Sequence, residues 1–225
     1  HSGGSWREAV GAYRHHRVIG MMFLGFSAGL PFLLVFSTLS AWLRADEVSR
    51  AAIGFFSWIG ITYSIKVFWA PVVDRVPIPL LTRVFGRRRS WMLCAMTGIA
   101  LGLLGMASVN PTQNLHAVAL YALLVAFSSA TQDISIDAYR IEAVSRDLQG
   151  AMAATYQLGY RIALLVAGGG ALVLADVTGW SFAYSVMACL TLVGITTVFA
   201  ISEPEIREHS AQPLDGAKSW FVAAV

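Results

Sequence analysis

Six stretches of this chain are apolar over the roughly 20 residues needed to cross a hydrocarbon core about 30 Å thick. They cover residues 18–43, 53–73, 91–109, 117–139, 150–175 and 180–201. Each is continuously apolar, whereas a membrane β-strand is shorter and alternates with period two. The pattern therefore predicts an all-α membrane protein with six spanning helices. Only Tyr160–Arg161 and a glycine triplet, Gly168–Gly170, interrupt the fifth run.

The polar segments between the runs predict orientation. Twelve Lys and Arg residues fall on one side: Arg7, Arg14, Arg17, Arg75, Arg83, Arg87, Arg88, Arg89, Arg140, Arg146, Arg207 and Lys218. Only Arg44 and Arg50 fall on the other, beside Asp46 and Glu47. Basic loops stay in the cytoplasm, so both ends are expected there. Residues 1–5 read as an expression remnant and residues 6–201 as the helical bundle. Residues 202–219, polar and carrying Pro204 and Pro213, read as a cytoplasmic linker, and the apolar run 220–225 as the start of a seventh span. On this reading the chain is half of a longer protein. Trp42, Trp69, Trp91 and Trp180 lie near helix ends, where an indole can keep its N–H in water.

Composition agrees with the pattern and excludes a soluble enzyme. The 225 residues are 56% hydrophobic and 13% charged, against roughly 25% charged in an average globular domain. Mean hydropathy is +0.63. Cys94 and Cys189 sit inside apolar runs and are expected to fill packing gaps rather than to form a disulfide or bind metal. His15 and His16 have no third ligand nearby. Phosphate loops, nucleophile elbows and zinc spacings are absent from the sequence, so neither a metal nor another cofactor is expected, and no nucleic-acid partner.

Ionisable groups at lipid depth are costly, roughly 2.5–3.5 kcal/mol each on insertion scales, and they mark candidate chemistry. Lys66 lies about 10 Å inside the second helix. Its stem could snorkel to the surface, or its ammonium could hold a substrate carboxylate in a wet cavity; Tyr63 shares its face. In the fourth helix Asp133, Asp137 and Arg140 recur at i, i+4 and i+7 on one face. A carboxylate near a movable cation can exchange a proton, which makes Asp133 and Asp137 candidates for proton coupling. The alternative is a structural ion-pair network, which suits Asp137 and Arg140 better than the deeper Asp133. Gln132 could serve a sugar or an amide. Arg161 stands roughly 18 Å into the fifth helix, too deep to snorkel. It must face protein or water, pairing with an acid such as Asp133 or binding a substrate anion. Gln157, Tyr156 and Tyr160 accompany it. Gly25 and Gly29, with Pro31 kinking the helix beyond, and Gly159 allow close helix packing.

Asp74-Arg75 followed by Gly86-Arg-Arg-Arg89 resembles the cytoplasmic signature of the major facilitator superfamily, Gly-xxx-Asp-Arg-x-Gly-Arg-Arg. Ala70 replaces the leading Gly, and residues 76–85 are inserted between the halves. Longer stretches resemble the AmpG muropeptide permeases within that superfamily. These are Gly25-Phe-Ser-Ala-Gly-Leu-Pro31, Leu39-Ser-Ala-Trp-Leu43 and Lys66-Val-Phe-Trp-Ala-Pro-Val-Val-Asp-Arg75. Ser129-Ala-Thr-Gln-Asp-Ile-Ser-Ile-Asp-Ala-Tyr139 and Leu158-Gly-Tyr-Arg161 belong with them.

The resemblance implies the N-terminal six-helix half of a proton-driven importer of GlcNAc-1,6-anhydromuramyl peptides. Such a protein sits in the bacterial inner membrane, and its cargo feeds wall recycling and β-lactamase induction. It implies partners in protons, the lipid bilayer and a second six-helix half. Lys66, Arg161, Gln132, Gln157, Tyr63, Tyr156 and Tyr160 would meet substrate. Asp74, Arg75, Arg87, Arg88, Arg89 and Arg140 would form a cytoplasmic latch. Competing readings are a carrier of another large anion such as acetyl-CoA, a non-transporting assembly factor, and an intramembrane aspartyl hydrolase built on Asp133 and Asp137.

Overall fold

The computed structural model describes residue 11 and residues 13–204. Residues 1–5, the linker beyond Pro204, the run 220–225, and Arg7, Arg207 and Lys218 lie outside the described residues. Among the described residues six helices are long and apolar enough to cross a membrane: α1 His16–Ala45, α2 Arg50–Phe68, α3 Arg87–Ala107, α4 Leu115–Glu142, α5 Arg146–Thr178 and α6 Trp180–Ala200. These are the six spans expected, and each of α1, α3, α4 and α5 starts or ends a few residues further out at the arginine-rich end. There the helix backbone is already satisfied, and capping extends it cheaply. His15 Nδ1, for example, accepts the Arg17 N–H at the start of α1.

Two spans are broken. Helix α1 passes through Pro31 and breaks at Phe36 (φ −112°, ψ −95°), resuming as Ser37–Ala45. Helix α2 alternates α-helical and 3₁₀ turns and continues beyond Trp69 as Ala70–Arg75. It is the least buried span, leaning mainly on α4. The glycine triplet of α5 forms a π-helical turn, Val166–Gly170, and Thr38 Oγ1 of α1 donates to the Ala167 carbonyl inside it (2.8 Å). Widened turns expose carbonyls to such partners.

Helix α1 is the hub. It packs along α5 and also against α4 and α6; α3 packs along α4 and α6. The α1–α5 contact is backbone against backbone. A Cβ on Gly159 would overlap the Met22 carbonyl, and one on Gly25 would overlap the Tyr156 carbonyl. Side-chain-free faces let two helices approach to dispersion distance where lipid gives no hydrophobic drive. Two apolar clusters fill the interior, one around Leu34, Leu39 and Tyr184, the other around Met21, Met92 and Tyr139. Tyr184, fully buried, donates its hydroxyl to the Leu34 carbonyl at 2.8 Å.

The tryptophans are tied to the protein, and one packing expectation, for the cysteines, is corrected. Three indole N–H groups meet protein acceptors: Trp42 donates to Asp46, Trp69 to Thr131 and Trp91, at an exposed position, to the Val76 carbonyl. A protein acceptor within reach satisfies the N–H without solvent. Cys94 and Cys189 are free thiols on the exposed surface rather than gap fillers, because their helix faces point away from the bundle.

Candidate functional site

The polar side chains of α2, α4 and α5 gather on the side of the bundle opposite α3 and α6. Lys66 Nζ lies 3.6 Å from Asp133 Oδ2, with side-chain exposures of 32% and 22%. This pair answers the snorkelling alternative: the ammonium turns inward to a carboxylate at its own depth. It also displaces Arg161 as the partner of Asp133. Asp133 stands nine residues before the end of α4, about 13 Å along the helix.

Tyr63 shares the α2 face with Lys66, its ring against Phe32 and Phe36 at 6.0 and 5.8 Å. Its hydroxyl approaches Ser129. Four oxygens here are buried without a hydrogen-bond partner: Tyr63 Oη, Ser129 Oγ, Gln132 Oε1 and Asp133 Oδ1. Ser129, Gln132 and Asp133 fall at i, i+3 and i+4, so one α4 face carries them. Leaving each unpaired costs about 1–3 kcal/mol, a concentration of unmet polarity that packing alone would not retain. Gln132 itself is fully buried, and its Nε2 donates to Ser27 Oγ of α1 at 3.0 Å. In this arrangement Gln132 is turned into the helix packing instead of toward a sugar.

From α5, Tyr156 and Tyr160 face the same region, their rings 6.1 Å apart. Their placement follows from the glycine contact, which presses the α5 backbone at Tyr156 and Tyr160 onto Gly25 and Gly29. Arg140 pairs with Asp137 at 3.2 Å, and its guanidinium lies 5.9 Å from the Tyr156 ring centroid. Arg140 therefore joins the tyrosines and not the latch. Asp133 and Asp137 each have their own cation, so they do not converge on one water, as an aspartyl hydrolase requires. Gln157 and Arg161, one turn apart, are exposed on α5. Among the described residues Arg161 makes no ion pair.

A second constellation closes the arginine-rich end. Arg88, buried at the start of α3, meets Asp74 at 2.6 Å and Glu142 at 2.6 Å. The ten-residue insertion does not disturb this: it loops out, with a short helix Leu81–Phe85, and leaves Asp74 and Arg88 in contact. Glu203, just past α6, accepts the backbone N–H groups of Arg88 and Arg89 at 2.8 and 3.1 Å. Gly86 precedes them at φ +85°, where a Cβ would strike the Glu203 side chain. Arg89 donates to the Val198 and Phe199 carbonyls at the end of α6. Arg17 bonds the Ala143 carbonyl and Ser202 Oγ. Of the expected latch residues, Asp74 and Arg88 form ion pairs, Arg89 caps a helix, and Arg75 and Arg87 make no ion pair among the described residues. Glu142, Glu203 and Arg17 were not anticipated. Glu142 lies two residues past Arg140, and an acidic residue at that end of α4, where the arginines gather, was the available signal.

The model of the Major Facilitator Superfamily matches residues 18–222. A protein of Rickettsia conorii named "Putative transporter AmpG 4" is 36% identical over 196 residues, 86% of this chain and 47% of its own length. The "Anhydromuropeptide permease" of Escherichia coli K12 is 38% identical over 185 residues, 82% of this chain and 37% of its own length. The chain spans about half the length, or less, of these curated relatives. It belongs to the Major Facilitator Superfamily, a family of transporters and not of enzymes, and its six helices form the N-terminal half of that fold.

Proposed function

We propose that the whole protein imports anhydromuropeptides across the bacterial inner membrane, driven by the proton gradient, for cell-wall recycling. The arginine-rich end is cytoplasmic on this reading, and β-lactamase induction follows from the cargo delivered inside. The observation that carries the proposal is the Lys66–Asp133 pair, half-open to the face that a second six-helix half would cover. Helices α2 and α5 border that face, and the tyrosines line it.

In this mechanism the two halves rock about a midplane site. Lys66 and Arg161 bind the carboxylates of the lactyl-peptide portion. Tyr63, Tyr156 and Tyr160 offer hydroxyls and ring faces to the sugars, with Gln157 beside them. Asp133 carries the proton, and Asp137 with Arg140 shapes the field around it. The Asp74–Arg88–Glu142 network fastens the cytoplasmic ends of α2, α3 and α4. A carrier of acetyl-CoA would need more cations than Lys66 and Arg161 to meet its phosphates.

The test is uptake of labelled anhydromuropeptide by vesicles bearing the full-length protein. Accumulation should collapse with a protonophore and should not be competed by acetyl-CoA. Asp133→Asn is expected to lose gradient-driven accumulation while keeping counterflow exchange. Accumulation that survives in Asp133→Asn would remove Asp133 from the proton path.

A further inference from the structure

The Lys66–Asp133 pair is unusual in what it leaves unused. Lys66 carries three N–H donors and Asp133 four lone-pair positions, yet they share one contact at 3.6 Å. Asp133 Oδ1 has no partner, and the hydroxyl oxygens of Ser129, one turn earlier on α4, and of Tyr63 are also unpaired. Those groups suit a second state of the same carboxyl. A carboxylate needs a cation. A neutral carboxylic acid needs an acceptor for its O–H instead, and the hydroxyl oxygens of Ser129 and Tyr63 stand on the adjoining faces of α4 and α2.

We propose that Lys66 is a shared cation. In the empty site it neutralises Asp133; in the loaded site it pairs with a carboxylate of the substrate, and Asp133 takes one proton from the aqueous phase as the ammonium leaves. The inference rests on the transport reading given above and adds how cargo and proton are linked. Charge balances in both states. Ammonium plus aspartate sums to zero, and so does ammonium plus substrate carboxylate plus neutral Asp133. A site that stays neutral through the cycle avoids the cost of an unpaired charge in low dielectric. Reciprocity follows: a substrate that draws Lys66 away raises the proton affinity of Asp133, and protonation of Asp133 raises the substrate affinity by the same factor.

The surroundings keep this exchange specific to Lys66. The groups facing Asp133 are Lys66 and Tyr63 from α2, Tyr156 and Tyr160 from α5, and Asp137 on its own helix. Helix α1 has no titratable side chain between Val18 and Leu43. Asp137 is already matched by Arg140 at 3.2 Å, so among the described residues Lys66 is the one cation whose departure leaves Asp133 without a partner. Arg161, which holds no carboxylate among the described residues, binds a substrate anion without releasing an internal one. The stoichiometry is therefore one proton for the carboxylate that meets Lys66 and none for the carboxylate that meets Arg161.

The experiment is proton uptake on binding to the purified full-length protein, read by titration calorimetry in buffers of different ionisation enthalpy near neutral pH. An anhydromuropeptide should bind with uptake of about one proton, and an analogue with its carboxylates converted to carboxamides with none. Lys66→Gln should weaken the acid ligand roughly 10- to 100-fold, the span of one charge-assisted hydrogen bond, and abolish proton uptake; Lys66→Arg should restore both. Proton uptake undiminished with the carboxamide ligand, a readout on the wild-type protein that no folding defect can obscure, overturns the shared-cation proposal while leaving transport intact. If neither ligand binds at all, the transport reading fails and this inference falls with it.

Discussion

The arginine-rich end and the middle of the bundle use the same residue types to opposite effect. At the end, Arg88, Arg89 and Glu203 are answered in full, and the orphans are single guanidinium nitrogens, Arg17 Nε and Arg87 Nε. Arg88 meets two carboxylates, Arg89 caps α6, and Glu203 caps α3. In the middle, a lysine and an aspartate share one loose contact among four unpaired oxygens, and Arg161 holds no carboxylate among the described residues. A saturated network has one low-energy arrangement and holds helices together. An undersaturated one has competing arrangements of similar energy, which a ligand can choose between. Charge in the membrane is thus fixed where the bundle must be rigid and left exchangeable where it must respond.

The comparison breaks most visibly at Arg88. Its side chain is 7% exposed, and Arg88→Ala strands Asp74 and Glu142 against each other. Removing one partner of a fully buried pair costs about 3–5 kcal/mol. Here the carboxylates are 44% and 35% exposed, so roughly 2–3 kcal/mol is expected after solvent screening. Thermal unfolding in detergent and membrane yield should both fall. An unchanged melting temperature would mean that this end is held by its apolar contacts alone.

How much of this could be read from residue order depends on the kind of interaction. The six spans, and the glycine faces at Gly25, Gly29 and Gly159, were legible because apolar length and small-residue spacing are local properties. The motif also brought Asp74 together with Arg87–Arg89 despite the inserted loop, without choosing Arg88 among them. Partner choice was not. Lys66 meets Asp133 across 67 positions because α2 leans on α4, and nothing local distinguishes that outcome from an Arg161–Asp133 pair. Gln132 reads as a polar residue aimed at cargo, yet the turn of α4 carries it toward Ser27. Arg140 has the composition of a latch residue, but its rotation about α4 sets it over Tyr156. Helix rotation is decided by tertiary packing, and a one-residue change of register turns a side chain through about 100°. The Cys expectation missed for the same reason.

The middle should tolerate what the end does not. Replacing Lys66 and Asp133 together, as Lys66→Met with Asp133→Leu, removes both charges and leaves none stranded. Apolar replacement of a complete buried pair is often neutral or stabilising. The double variant should therefore unfold within about 1 kcal/mol of wild type, or later, while losing uptake entirely. Either single variant should be less stable than the double. A double variant as damaged as Arg88→Ala would show that the pair holds the bundle together, and the contrast between the two regions would dissolve.

Arg161 provides the smallest structural effect and the sharpest separation of roles. It stands midway along α5, exposed and without an ion pair among the described residues. Nothing in the six-helix unit depends on its charge, so Arg161→Gln should change stability by no more than about 0.5 kcal/mol, as substitutions away from packed or paired groups do. Its cost is instead met by whatever covers the open face: water, cargo or the second half of the protein. If cargo meets it, Arg161→Gln should lose uptake at unchanged melting temperature, and an analogue lacking one carboxylate should be transported equally by the variant and the wild type. A large drop in melting temperature of the full-length protein would instead assign Arg161 to the seam between the halves. Its charge would then be structural after all, satisfied by a partner that the six helices alone do not supply.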